Sequence, residues 1–125
     1  MRTKTEELFE ISILANALCE QANFVMTDMR LKTLFMIKRT APASPTVLKS
    51  KLGINKCNLA STCAYLEENG LINAAIGKED RRQREYTLTE KGEEMLEKYL
   101  SKLDTLLRTD DVDFSVILEL LNKKL

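Results

Sequence analysis

Histidine is absent from all 125 residues, and with it goes the commonest general base and metal ligand. There is no glycine-rich phosphate loop, no G-x-S-x-G elbow and no paired Cys-x-x-Cys. Nothing here reads as an active site, so the chain is not expected to be an enzyme, nor to hold a cofactor or a metal. Cysteine is scarce: Cys19, Cys57 and Cys63 are an odd number at no disulfide-framework spacing, which favours a reducing, cytoplasmic setting. No apolar run is long enough to span a bilayer. The N-terminus, MRTKTEELFE, passes from basic to acidic without the apolar centre of a signal peptide. With 44% hydrophobic and 30% charged residues, the expectation is one globular domain, residues 1–125, with an ordinary core.

Net charge is zero, which by itself speaks against a polyanionic partner. Its distribution reverses that impression. Residues 29–66 contain no aspartate or glutamate, yet carry Arg30, Lys32, Lys38, Arg39, Lys49, Lys51 and Lys56. Acidic residues outnumber basic ones five to two in residues 1–28 and ten to six in residues 85–125. Local field, not total charge, steers a polyanion to a surface.

The hydrophobic spacing predicts mostly helix. Leu8, Ile11, Ala15, Leu18 and Ala22 follow a three-four repeat over Thr5–Ala22, and Phe9 and Ile13 widen the apolar stripe. A second helix is expected from a cap at Thr27 or Asp28 to Arg39, burying Leu31, Leu34, Phe35 and the stem of Lys38. The two prolines fall close together: Ala41-Pro42-Ala43 breaks the helix, and Ser44-Pro45 is a capping hydroxyl followed by proline at a first helical position. Gly53 ends that short third helix after Leu48 and Leu52. Asn55 then caps a fourth helix, 56–69, with Leu59, Cys63 and Leu66 inward. Two helices joined through Leu52-Gly53-Ile54 have helix-turn-helix spacing.

The segment LINAAIGKEDRRQREYTLTEKG, residues 71–92, is the most informative in the chain. Gly70 stops the fourth helix, Leu71, Ile72 and Ile76 read as a strand, and Tyr86 and Leu88 alternate as the returning one. The loop between them, Lys78 to Arg84, holds four basic and two acidic side chains. Thr89 caps the next helix, with Glu90 in its first turn. A two-stranded ribbon tipped with arginines, directly after a helix-turn-helix, is built to grip DNA. Two leucine-rich helices follow, Glu90–Leu107 and Asp113–Leu125, whose apolar residues cover too broad an arc for one neighbour. A dimer through the chain ends, burying Leu8, Ile11, Leu103, Leu107, Ile117 and Leu121, would cover them.

Pro45 to Leu48, Leu52 to Lys56, Leu66 to Ile72, Asp80-Arg81-Arg82 and Leu88-Thr89-Glu90-Lys91-Gly92 together resemble the MarR (multiple-antibiotic-resistance regulator) family over residues 27–107. The resemblance implies a mainly α fold with a small β-wing. Residues 25–92 would be a winged helix-turn-helix core, residues 1–24 an N-terminal dimerisation helix, and residues 93–125 the C-terminal dimerisation helices. It also implies a cytoplasmic homodimer that regulates transcription, often as a repressor, by binding an inverted repeat in double-stranded DNA. Small aromatic anions or oxidants commonly relieve repression in such proteins.

Carried over by position, the fourth helix becomes the recognition helix. Asn55, Lys56, Cys57 and Asn58 would face DNA, with Ser61 and Thr62 a turn later. Asn58 suits an adenine edge and Lys56 a guanine or a phosphate. Ser44 and Thr46 would offer hydroxyls and backbone N–H groups to phosphate. In the wing, beside Arg81, Asp80 would orient an arginine, Arg82 would probe the groove and Arg84 would meet the backbone. Ser61 stands where the family often has arginine, Cys57 where serine is usual, and Ala64-Tyr65 where a charged pair is commoner. Loss of one base-reading arginine predicts weaker or more A·T-tolerant recognition, by about 1–3 kcal/mol for a bidentate contact. Inert cysteine is the usual case and a thiol sensor the lesser alternative, for which Cys57 at a helix N-terminus is better suited than Cys19 in its apolar stretch. Cys57 and Cys63, six apart on one helix, point in different directions and cannot bridge. A winged helix serving only as a protein-interaction or dimerisation module is the alternative, favoured by the neutral total charge.

Overall fold

The computed structural model describes residues 2–22, 28–78 and 80–125. In chain order the elements are α1 (Lys4–Ala22), α2 (Asp28–Thr40), α3 (Pro45–Leu52), α4 (Lys56–Glu68), β1 (Ile72–Ile76), β2 (Arg84–Leu88), α5 (Glu90–Leu107) and α6 (Ser115–Lys124). The fold is mainly α with a small antiparallel sheet, in the element order expected from the sequence. Thr27 lies outside the described residues, so α2 is described from Asp28.

Local chemistry sets the boundaries. Ser44 Oγ accepts the Val47 N–H at 3.2 Å and Asn55 Oδ1 accepts the Asn58 N–H at 2.8 Å, each meeting a donor the first helical turn leaves unpaired. Gly53 closes α3 in the left-handed region (φ 64°), which an L side chain enters at a cost. Asn69 caps α4 one residue earlier than the expected end, its side-chain amide donating to Tyr65 O at 2.8 Å. The last helix begins at Ser115, not Asp113: Asp113 Oδ1 accepts the Ser115 N–H at 2.9 Å and stays outside the helix.

The core is built around α2, which packs on α3, α4, α5 and β2. Leu31, Leu34, Ile37, Leu48, Leu59, Cys63, Leu66, Leu71, Ile72, Tyr86 and Leu96 are buried there. Two details of α2 correct the sequence reading. Ile37 is the enclosed residue of its last turns while Phe35 is only half-buried, and Lys38 is exposed, pairing with Glu93 of α5 at 3.1 Å. Thr33, the buried polar residue among those described, donates its hydroxyl back to Met29 O at 2.7 Å.

Strands β1 and β2 pair antiparallel from Ile72↔Leu88 to Ile76↔Arg84. The Ala41–Ala43 breaker does more than end α2. Ala43 exchanges backbone hydrogen bonds of 3.0 and 2.8 Å with Tyr86 and adds a one-residue third rung to the sheet. The junction between α4 and α5 is dense. Thr89 Oγ1 accepts the Gly92 N–H at 3.0 Å and donates to Gly70 O at 2.6 Å, while Lys91 Nζ donates to Asn69 O at 3.0 Å.

The chain ends are apolar and uncovered. Helix α1 lies against α5 and α2, yet Phe9 and Ile13 remain 63% and 67% exposed, and Val116 of α6 is 71% exposed. Leu8, Ile11, Ile117 and Leu121 line a groove of about 370 Å³ between α1 and α6. Leu107 is exposed and Leu103 half-buried. Among the described residues no helix is long and apolar enough to cross a membrane.

Candidate nucleic-acid interface

Helices α3 and α4 pack together as a helix-turn-helix, and the cap at Asn55 decides what α4 presents. Lys56, Cys57, Asn58 and Ser61 are all exposed, whereas Thr62 is half-buried. Asn55 uses its carbonyl oxygen as the cap, leaving its amide N–H groups to face outward. Ser44 likewise uses an oxygen lone pair and keeps its hydroxyl proton for another acceptor. Thr46 is exposed on the first turn of α3, where Gln83 Nε2 from the wing reaches its Oγ1 at 3.5 Å. The wing and the supporting helix thus meet at the edge of the same face.

Asp80 organises the wing. Its Oδ1 accepts the Arg82 backbone N–H at 3.0 Å and the Arg82 Nε at 3.3 Å. The guanidinium is held at its base while its outer nitrogens stay in solvent, the side chain being 92% exposed. Arg81 is exposed beside it. Arg84, the expected phosphate contact, is paired through Nη1 with Glu67 Oε2 of α4 at 3.1 Å. The structure therefore gathers Ser44, Thr46, Asn55, Lys56, Cys57, Asn58 and Ser61 with the wing arginines Arg81 and Arg82, and ties Arg84 to the helix itself.

Sequence reasoning passed over two features. A groove of about 430 Å³ runs between α3, α4 and β2, with Lys49 and Lys56, Thr46, Pro45, Ala60 and Tyr86 among its walls. Lys49 is one helical turn after Thr46, a spacing that marks a shared face. Arg30 of α2 lies over the Tyr65 ring, 3.4 Å from its centroid, a cation–π contact that joins α2 to the last turn of α4. No sequence pattern signals that pairing, because the partners are 35 positions apart in the chain.

All three cysteines are free thiols. Cys63 is buried, and its thiol is pushed up to about 11. Burial is the main cause, the negative charge of Glu67 adds to it, and a hydrogen bond from Tyr86 acts in the opposite sense. Cys57 is exposed on the first turn of α4 and Cys19 is half-buried on α1. Among the described residues no cluster of Cys, Asp and Glu side chains has the makings of a metal site.

A family model described as a winged helix DNA-binding domain matches residues 29–107. The chain belongs to that family. The winged helix segment runs from the second residue of α2 to the end of α5 and so includes every interface residue named above. Over 71 residues the chain is 35% identical to the HTH-type transcriptional regulator PetP of Rhodobacter capsulatus, a stretch covering 57% of this chain and 42% of that regulator. The chain thus spans less than half the length of this curated relative. Apo wild-type MarR from E. coli has the same fold, with a TM-score of 0.78 and 20% identity over 99% of this chain and 97% of that one. FabT of Streptococcus pneumoniae, solved in complex with DNA, matches with a TM-score of 0.66 and 19% identity over 94% and 88%. The MarR likeness seen in the sequence is therefore met at the level of fold.

Proposed function

We propose that this winged helix is a sequence-specific double-stranded DNA-binding transcriptional regulator, acting in the cytoplasm as a homodimer on an inverted repeat. The observation that carries the reading is the contact of Gln83 in the wing with Thr46 on the supporting helix. It joins a helix-turn-helix without an acid before Glu67, with Lys56, Asn58 and Ser61 exposed, to a wing whose Arg82 is aimed by Asp80. Helix α4 would lie in the major groove, where Asn58 matches an adenine edge, and Arg82 would reach the neighbouring minor groove. Ser44 and Thr46 would hold phosphate. The family likeness supports a repressor relieved by a small aromatic or oxidant effector, with exposed Cys57 the thiol best placed for an oxidant.

Surface area supports the dimer. The chain exposes 9450 Å², against roughly 6,800 Å² expected of a compact monomer of 14.3 kDa. The excess is of the size an obligate dimer interface buries.

The test is selection from a pool of random duplexes. An enriched inverted repeat, with half-sites about one helical turn apart, is the expected outcome. Affinity for it should fall by roughly three to five orders of magnitude between 50 and 200 mM salt, if 6–10 phosphates are contacted. Folded protein that enriches nothing at low salt would support the interaction-module alternative, which the arginine-free α4 and zero net charge favour. Arg82→Ala should weaken operator binding by about 1–3 kcal/mol and leave the melting temperature unchanged. Undiminished binding would remove Arg82 from the interface.

A further inference from the structure

Cys63 and Glu67 lie four residues apart on α4, and therefore on one face of it. Arg84 and Tyr86 lie two apart on β2, and therefore on one face of the sheet. The two spacings nearly match, about 6 Å along the helix and about 6.6 Å along the strand. The faces meet as two rungs. The inner rung is buried, the Cys63 thiol against the Tyr86 side chain. The outer one is the ion pair between Glu67 Oε2 and Arg84 Nη1 at 3.1 Å.

The place of the outer rung gives it consequence. Arg84 is the first residue of β2 and pairs with Ile76, the last of β1, so it sits at the root of the wing. Arg82, the groove probe, is two residues before it. Glu67 belongs to the last turn of α4. Below this point the hairpin is anchored by Tyr86, whose backbone is bonded to Ala43. Above it, the described ties of the wing to the helices include the 3.5 Å contact from Gln83 to Thr46.

Resting on the DNA-binding reading, we propose that Arg84 is a positioning residue. Its ion pair with Glu67 sets the wing against the recognition helix, so that Arg82 and α4 arrive at DNA with one fixed separation. Arg84 does not contact phosphate in this arrangement. Glu67 also acquires a role, since an acid so near a DNA surface would otherwise only repel the ligand. The Tyr86 hydroxyl and then Glu67 hold the Arg84 guanidinium even more firmly protonated than usual.

The experiment measures affinity for the selected operator across a salt series. It compares the wild type with Arg84→Gln, Glu67→Gln, the double variant, and the charge-reversed pair Glu67→Arg with Arg84→Glu. Each single change should weaken binding roughly threefold to fivefold, the upper end for an exposed ion pair. The double variant should be no worse than either single one, and the reversed pair should regain most of the loss. The slope of log affinity against log salt and the melting temperature should stay at wild-type values.

Three results would overturn the proposal. One is Arg84→Gln lowering the salt slope by about one while Glu67→Gln binds as well as or better than wild type, which would make Arg84 a phosphate contact. Another is a melting temperature that falls in step with affinity, which would make the pair a plain stabiliser of the fold. The third is a reversed pair that binds no better than the single variants. A wild-type protein that selects no duplex fails earlier, at the DNA-binding reading itself.

Discussion

Replacing Ile117 and Leu121 together by aspartate will leave a folded monomer that has lost about two to four orders of magnitude in operator affinity. Both residues are partly exposed in the single chain, at 39% and 36%, so each aspartate keeps access to water when the chain is alone. They do fall on the apolar groove that α6 forms with Leu8 and Ile11 of α1. Burying two carboxylates in an interface between chains costs far more than the contacts they replace. The affinity loss follows from linkage. In a dimer the second half-site is bound intramolecularly, at an effective concentration that raises overall avidity by about 10²–10⁴. A monomer keeps α4 and the wing but binds each half-site independently. Analytical ultracentrifugation at micromolar concentration checks the first part and a gel-shift titration the second. A variant that still sediments as a dimer would move the interface away from α6.

Gly92→Ala is expected to cost stability on a scale out of proportion to one methyl group. A Cβ built at Gly92 would lie 2.0 Å from Leu71 O and 3.0 Å from Leu71 C, so the obstacle is backbone. That backbone has little room to retreat. Leu71 O accepts the Thr89 N–H at 3.1 Å, and Leu71 N donates to Leu66 O at 2.9 Å. Overpacking commonly costs about 1–3 kcal/mol. The top of that range is expected here, with a fall in melting temperature of roughly 10 °C. Gly53→Ala is the control. Nothing lies within 4 Å of its Cβ, and only the left-handed backbone (φ 64°) resists, which is worth about 1–2 kcal/mol. Thermal denaturation of both variants separates close approach from conformational strain. A Gly92→Ala protein as stable as Gly53→Ala would refute the packing argument.

The features that could be read from the sequence are those whose cause is local. Ser44, Asn55 and Thr89 cap helices because a short oxygen side chain meets an N–H three residues ahead, and that relation is visible in the sequence alone. Gly53 and Gly70 end helices at positive φ for an equally local reason. The features missed depend on partners distant in the chain. Ala43 reads as part of a breaker because its bridge to Tyr86 spans 43 positions. Arg84 reads as a free cation at a wing because Glu67 belongs to another element. Asp80 and Arg82, two residues apart, were legible as a pair, whereas Arg30 and Tyr65 were not. Ile37 is the exception: it stands three residues after Leu34 on the same helical stripe, so its burial is a local signal in the spacing.

One joint has a mechanical consequence. The end of α4 and the start of α5 are bolted together by Thr89 to Gly70, Lys91 to Asn69, and the Thr89 N–H to Leu71 O. Gly92 leaves no clearance at the same place. Helix α5 has 18 residues and so is roughly 27 Å long. With so tightly bonded an elbow at its base, it has the geometry of a lever arm. If α4 reads DNA as proposed, a small tilt at the far end of α5 would reach it as a displacement rather than be absorbed at the joint.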